Sequence, residues 1–240
     1  MNIAVILAGG VGSRVGAGIP KQFVKILDKP VIVYTIEAFQ KHQDIDAIEI
    51  VCVKSHMDYM QELVDTYGLT KVQWITEGGA DFQGSVLNGI TNLDGICADD
   101  DIVLVTFAAS PFVEGEIITD AVKVCREKGN AISTTPFYLL SGVKDDEEKT
   151  TKWIDRDTIA CMSCPHAFQY GYIKDIYRRA IETGVINEVE PHTTTLMYKM
   201  GETIYFSKGS QTNIKITTKE DLDLFEGYVL MKQRHANEEV

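Results

Sequence analysis

The sequence is short of positive charge: 23 Lys and Arg stand against 35 Asp and Glu, a net charge of −12 over 240 residues. A surface this acidic repels phosphate backbones and anionic headgroups, so nucleic acid and membrane are poor partners. Long apolar runs are also missing. No stretch approaches the ~20 residues that span a bilayer. The first residues carry no basic segment followed by a long apolar one, so no signal peptide is expected and the chain reads as cytoplasmic. Cysteine is scarce, odd in number and widely spaced, at Cys52, Cys97, Cys125, Cys161 and Cys164, which argues against a disulfide scaffold. Cys161 and Cys164 have C-x-x-C spacing, but no second ligand pair accompanies them. Packing near a pocket is favoured over a zinc or redox role. There is no internal repeat, low-complexity tract or linker.

What is present is apolar substance: 45% of residues are hydrophobic. That fits one α/β domain spanning residues 1–240 with a substantial core. Apolar runs at Ile3–Leu7, Ile48–Val53, Val72–Thr76, Ile102–Thr106 and Ala131–Thr135 read as strands. Between them, residues 30–42, His56–Tyr67, Ser85–Leu93 and Ile117–Glu127 carry helical spacing. This alternation implies a Rossmann-like, doubly wound, mostly parallel sheet with helices on both faces. Regularity lapses from Pro136 to Ser163, where Lys144–Lys152 is highly charged between short alternating flanks. That segment reads as a protruding β-arm, with a disordered acidic loop as the alternative. Phe168–Ala180 reads as helix, Ile204–Ser207 as a short strand, and Asp221–Met231 as a helix introduced by Thr217 and Thr218.

The chemistry concentrates where the first strand ends. Residues 3–23 run Ile-Ala-Val-Ile-Leu-Ala-Gly-Gly-Val-Gly-Ser-Arg-Val-Gly-Ala-Gly-Ile-Pro-Lys-Gln-Phe. Gly9, Gly10 and Gly12 let the backbone turn tightly and approach a ligand closely. Successive N–H groups in such a loop make an anion-binding concavity, and Arg14 and Lys21 add positive charge. A strand, a glycine loop and two cations suit a polyphosphate; a glycine turn with two solvated cations is the plainer alternative. Neither common phosphate loop matches: Val15 stands where a dinucleotide fingerprint needs Gly, and Lys21 follows Pro20 and precedes Gln22.

The stretch resembles the opening of the alcohol-phosphate cytidylyltransferases, the family of the 2-C-methyl-D-erythritol 4-phosphate and ribitol-5-phosphate enzymes. Its signature, Leu-Ala-Ala/Gly-Gly-x-Gly-x-Arg-Met/Val-Gly followed by Pro-Lys-Gln-Phe/Tyr, matches residues 7–16 and 20–23. Gly78-Gly79 through Ser85-Val86 resembles the motif that reads the cytosine base, with Phe82 in place of an Arg. Ser85 would then hydrogen-bond the base edge, or cap the following helix. Val103–Pro111 resembles the strand and loop in which the family's Asp holds Mg²⁺, but that position is Phe107, with Thr106 for a His and Ser110 for an Arg. Ile154-Asp155-Arg156 matches the segment that grips the acceptor phosphate. Cys164-Pro165-His166 stands where Thr-Pro-Gln is usual, and Pro191–Thr195 lacks two usual acids. Gly209–Leu222, with Asn213 and Lys215, closely resembles the family's last motif.

The resemblance implies catalytic roles for Arg14, Lys21, Arg156 and Lys215. It places Leu7, Ala8, Gly9, Gly10 and Gly12 at the nucleotide, together with Gly78, Gly79, Ser85 and Ala108. The implied reaction makes a CDP-alditol and pyrophosphate from CTP and an alcohol phosphate. Ala8-Gly9-Gly10 and Ile214–Thr218 look closer to the ribitol-5-phosphate branch than to the methylerythritol branch. A nucleotide-binding relative without catalysis is the reading that Phe82 and Phe107 favour; the retained cations oppose it. The metal ligands are unknown, with Mg²⁺ expected to be borne by the nucleotide. The family's arm exchanges between subunits, so a homodimer is implied, with the arm at about residues 136–163.

Overall fold

A computed structural model describes residues 1–10 and 19–238. Seven strands form one twisted sheet: β1 (Asn2–Ala8), β4 (Ala47–Cys52), β5 (Val72–Glu77), β6 (Ile102–Phe107), β7 (Asn130–Pro136), β10 (Ala160–Gln169) and β11 (Phe206–Lys208), in the order β11-β7-β10-β6-β1-β4-β5. Every neighbour is parallel except β10, which runs antiparallel between β7 and β6. Short pairs β2 (Lys25–Ile26) with β3 (Lys29–Pro30), and β8 (Gly142–Val143) with β9 (Lys152–Trp153), stand apart.

The strands are apolar on both sides because both faces are covered. Ala4, Ile6 and Ala8 point to one side, with Ile32, Ile36 and Phe39 of α1 (Val31–Gln40), Met60 and Leu63 of α2 (Met57–Thr66), and Ile118 and Val122 of α4 (Gly115–Lys128). Ile3, Val5 and Leu7 point to the other, against Val86 and Ile90 of α3 (Phe82–Asn92), Ile173 and Tyr177 of α5 (Tyr170–Glu182), and Leu196 of α6 (Thr193–Lys199). Each fully buried large side chain contributes roughly 1.5–3 kcal/mol. A third cluster fastens α7 (Lys219–Glu238) through Leu222, Phe225 and Val229 to Val31, Phe112 and Ile216. Thr218 and Asp221 cap α7 reciprocally: the Asp221 carboxylate accepts from the Thr217 and Thr218 N–H groups, and Thr218 Oγ1 accepts from the Asp221 N–H.

The expected strands and helices are present as far as Thr135. Two expectations need correction. The helix expected from Phe168 starts at Tyr170; Phe168 is the buried end of β10. The irregular stretch is shorter than 136–163, because β10 re-enters the sheet at Ala160. Its register shifts between Ser163 and His166, so Pro165, which has no N–H to donate, sits in an irregularity inside a central strand. The short helix α6 at the Thr193–Thr195 run had not been expected.

Glu49, in the middle of β4, is fully buried and accepts a 2.6 Å hydrogen bond from Thr76 Oγ1. Burial pushes its carboxyl up from 4.5 to about 7. Between those values the unfolded chain has lost a proton that the folded chain keeps, so this group's contribution falls as pH rises through the window. Glu49→Gln should therefore gain stability over the wild type, on the order of 1–3 kcal/mol, at about pH 8 relative to pH 4.5. Thermal melts at both pH values measure it; equal differences at the two would remove the buried-acid assignment.

Candidate functional site

In a mostly parallel sheet the ligand crevice lies beyond the strand carboxyl ends, where the strand order reverses. Here the chain leaves β1 toward β4 and β5, then returns to β6 on the other side of β1. A cavity of about 460 Å³ opens at that point, lined by Leu7, Gly9 and Gly10 at the end of β1, Gly79–Phe82 and Ser85 after β5, and Phe107–Ala109 at the end of β6. Lys21, Gln22, Lys215 and Thr217 complete the wall.

Each rim segment is tied down. The buried Gln22 amide donates to the carbonyls of Ala8 (2.9 Å) and Gly10 (3.0 Å). Thr35 Oγ1 donates to the Ala108 carbonyl at 2.9 Å, and the Ala108 N–H donates to Leu7. The Gly78 N–H donates to the Cys52 carbonyl at the end of β4. A Cβ on Gly79 would meet the backbone of Gly84 at 2.3 Å, so only glycine lets this turn fold onto the first turn of α3. Ser85 Oγ accepts from the Gly79 N–H and donates to the Asp81 carbonyl. The cap of α3 is Asp81, whose side chain accepts from the Gly84 N–H, so the capping role considered for Ser85 falls to Asp81.

The carboxy-terminal motif closes the other side. The Ile216 N–H donates to the Ala109 carbonyl, and Lys21 Nζ donates to the Ile216 carbonyl at 2.5 Å. Asn213 is buried and donates to the Cys164 carbonyl at 2.5 Å. Lys215 Nζ lies 3.4 Å from the centroid of the Phe107 ring. Beneath them, burial holds the Cys164 thiol up at about 11. Burial, with His192 and Lys215 nearby, brings His166 down to about 4, so it is neutral at pH 7. A second cavity of about 470 Å³ adjoins, lined by Thr135–Leu139, Cys161–Cys164, Ser110, Ser210, Gln211, Asn213–Lys215 and Phe107.

Of the expected nucleotide and catalytic positions, Leu7, Gly9, Gly10, Lys21, Gly79, Ser85, Ala108 and Lys215 meet around the first cavity. Ala8 and Gly78 lie just behind its wall, Ala8 through its carbonyl bond to Gln22 and Gly78 beside Ser85 Oγ. Gly12 and Arg14 fall outside the described residues. Arg156 is exposed on the arm, outside both cavity walls, and donates to the Tyr138 carbonyl at 3.0 Å. Sequence reasoning passed over Gln22, although it lies in the Pro-Lys-Gln-Phe motif. It also gave no role to Phe82, whose ring packs 5.3 Å from that of Phe107 and 4.8 Å from that of His192. For a metal ion the donors do not fit: among the described residues no group of three or more His, Cys, Asp or Glu could hold one, and the Phe107 ring offers no oxygen ligand.

A glycine-lined crevice with two lysines at the carboxyl edge of such a sheet marks a nucleotide-handling transferase of the α/β class. The family described as IspD, 2-C-methyl-D-erythritol 4-phosphate cytidylyltransferase, matches residues 2–231, and the chain belongs to that family. A ribitol-5-phosphate cytidylyltransferase of Lacticaseibacillus paracasei is 39% identical over 97% of this chain and all of its own length. A 2-C-methyl-D-erythritol 4-phosphate cytidylyltransferase of Clostridium perfringens is 36% identical over 95% of this chain and 98% of its own. The fold is that of the crystal structure of 4-diphosphocytidyl-2C-methyl-D-erythritol synthase from Anaerococcus prevotii, with a TM-score of 0.79 at 21% identity, covering 96% of this chain and 98% of that one.

Gln22 gives the site a direct test. Gln22→Ala leaves the buried carbonyl of Ala8 without its partner and should cost about 1–3 kcal/mol of stability. Urea unfolding reads the loss; a variant as stable as the wild type would show that the loop is held by other contacts.

Proposed function

We propose that the protein transfers the cytidylyl group of CTP to an alditol phosphate resembling ribitol 5-phosphate, releasing pyrophosphate and a CDP-alditol. The observation that carries the reading is the pair of adjoining cavities with Lys215 on their common wall. An oxygen of the acceptor phosphate forms a bond to the α-phosphorus of CTP as the bond from that phosphorus to the pyrophosphate oxygen breaks. The nucleophile is already ionised, so positioning and electrostatic stabilisation dominate. Gly9, Gly10 and Gly79 bring backbone close to the nucleotide, Ser85 stands at the base, and Lys21 and Lys215 meet the phosphate charge. Arg14 adds a further cation to the triphosphate. The ribitol-5-phosphate relative, at 39% identity over its whole length, supports this acceptor over methylerythritol phosphate. Any Mg²⁺ arrives on the triphosphate, keeping waters as its other ligands.

The 240 residues act as one domain in the cytoplasm, paired with a second copy through the arm. Tyr138, Leu140 and Trp153 are 60%, 91% and 77% exposed on that arm, an apolar surface that gains by crossing to a partner. Arg156, beside it, would hold the partner's acceptor phosphate.

Pyrophosphate release measured with each nucleoside triphosphate and a panel of alditol phosphates tests the reaction. CTP with ribitol 5-phosphate should be the productive pair. Lys21→Ala should lose most of the turnover and, because its ammonium bonds the Ile216 carbonyl, about 1 kcal/mol of stability. Normal turnover by Lys21→Ala would defeat its assignment. Deleting residues 144–152 should weaken the dimer in sedimentation equilibrium and raise the KM for the acceptor. A wild-type chain that is monomeric at micromolar concentration would overturn the dimer.

A further inference from the structure

Among the described residues, Phe107 and Lys215 are common to the walls of both cavities. If one cavity takes the nucleotide and the other the acceptor, the phosphorus that changes partners passes along this wall. There the Lys215 ammonium stands 3.4 Å from the centre of the Phe107 ring. The face of an aromatic ring carries negative potential and attracts a cation, most strongly where water is partly excluded. Phe107 is half-buried at the end of β6, and its ring is braced by Phe82, which is braced in turn by His192. The groups beneath, the Cys164 thiol and neutral His166, carry no charge at pH 7. A lysine side chain is long and flexible, so a fixed seat determines where its charge acts.

We propose that Phe107 is a positioning residue for cytidylyl transfer: its ring seats the Lys215 ammonium at the junction of the two cavities, aimed at the charge that develops on the transferred phosphoryl group. The assignment rests on the reaction proposed above. Electrostatic stabilisation of this kind works because the charge is oriented before the reaction begins. The bond changes are those already given, with no added reactant.

The test uses the full chain, CTP, ribitol 5-phosphate and pyrophosphate release, with Phe107→Leu, Phe107→Met and Phe107→Tyr, each checked by thermal melting. Two aliphatic variants are made so that failure of one to fold does not stop the comparison. Leu and Met remove the ring face and should lower kcat about tenfold while leaving the KM for CTP nearly unchanged. Tyr restores the face and should recover most of kcat. The decisive measurement is a double-mutant cycle. If Phe107 acts through Lys215, Phe107→Leu should cost little further kcat in a Lys215→Ala background. Additive losses would overturn the proposal, as would wild-type kcat in the aliphatic variants, a change confined to KM, or a Tyr variant as slow as Leu. Absence of pyrophosphate release by the wild type would overturn the reaction itself, and this assignment with it.

Discussion

The site depends on the closure of residues 213–217 over the ends of β1 and β6. Ile216 bonds the loop after β6 through its N–H and receives Lys21 through its carbonyl. A single residue late in the chain thus joins the first loop to the middle one. Ile216 is itself fully buried in the cluster under α7. The packing of the last helix thus anchors the carbonyl that Lys21 bonds and the residue next to Lys215. The charge of the two ammonium groups is thereby oriented in advance, the condition under which electrostatic stabilisation is most effective.

The remaining anchors follow the same logic. Carbonyls at strand ends are orphans of the ladder and need donors. Gln22 supplies two of those donors and Thr35 a third, all from the residues between β1 and β4. The wall is made of backbone held by side chains, which leaves glycine backbone on the cavity side. The turn at Gly79 adds steric closeness to hydrogen bonding, since no other residue could lie against Gly84.

Much of this was legible in the sequence, for identifiable reasons. Buried parallel strands read as continuous apolar runs, so β1, β4, β5, β6 and β7 were plain. The opening loop and the Asn213–Lys215 motif named most of the residues that meet at the cavity. β10 was not legible, because Ala160–Gln169 mixes thiols, hydroxyls and a proline, and a bulge breaks its alternation. The seat of Lys215 on Phe107 was out of reach for a different reason. The two residues are far apart in the chain, and an aromatic residue at a strand end gives no sign of what will rest on it. Gln22 lay in a recognised motif, but its hydrogen bonds become visible only once both strand-end carbonyls are placed.

The arm emerges between two strands that are already antiparallel neighbours, with Pro136 opposite Ala160 at its root. Seen as topology, everything from residue 137 to 159 is an insertion in a β-hairpin. A hairpin accepts lengthening or shortening at its tip without altering the register of its stem, because the ladder bonds are local. The first cavity is built at the ends of β1, β5 and β6, with no residue of that insertion in its wall. The arm can therefore change in length or sequence while the wall of the first cavity stays fixed. One scaffold of this kind can carry a series of different tips on an unchanged cavity.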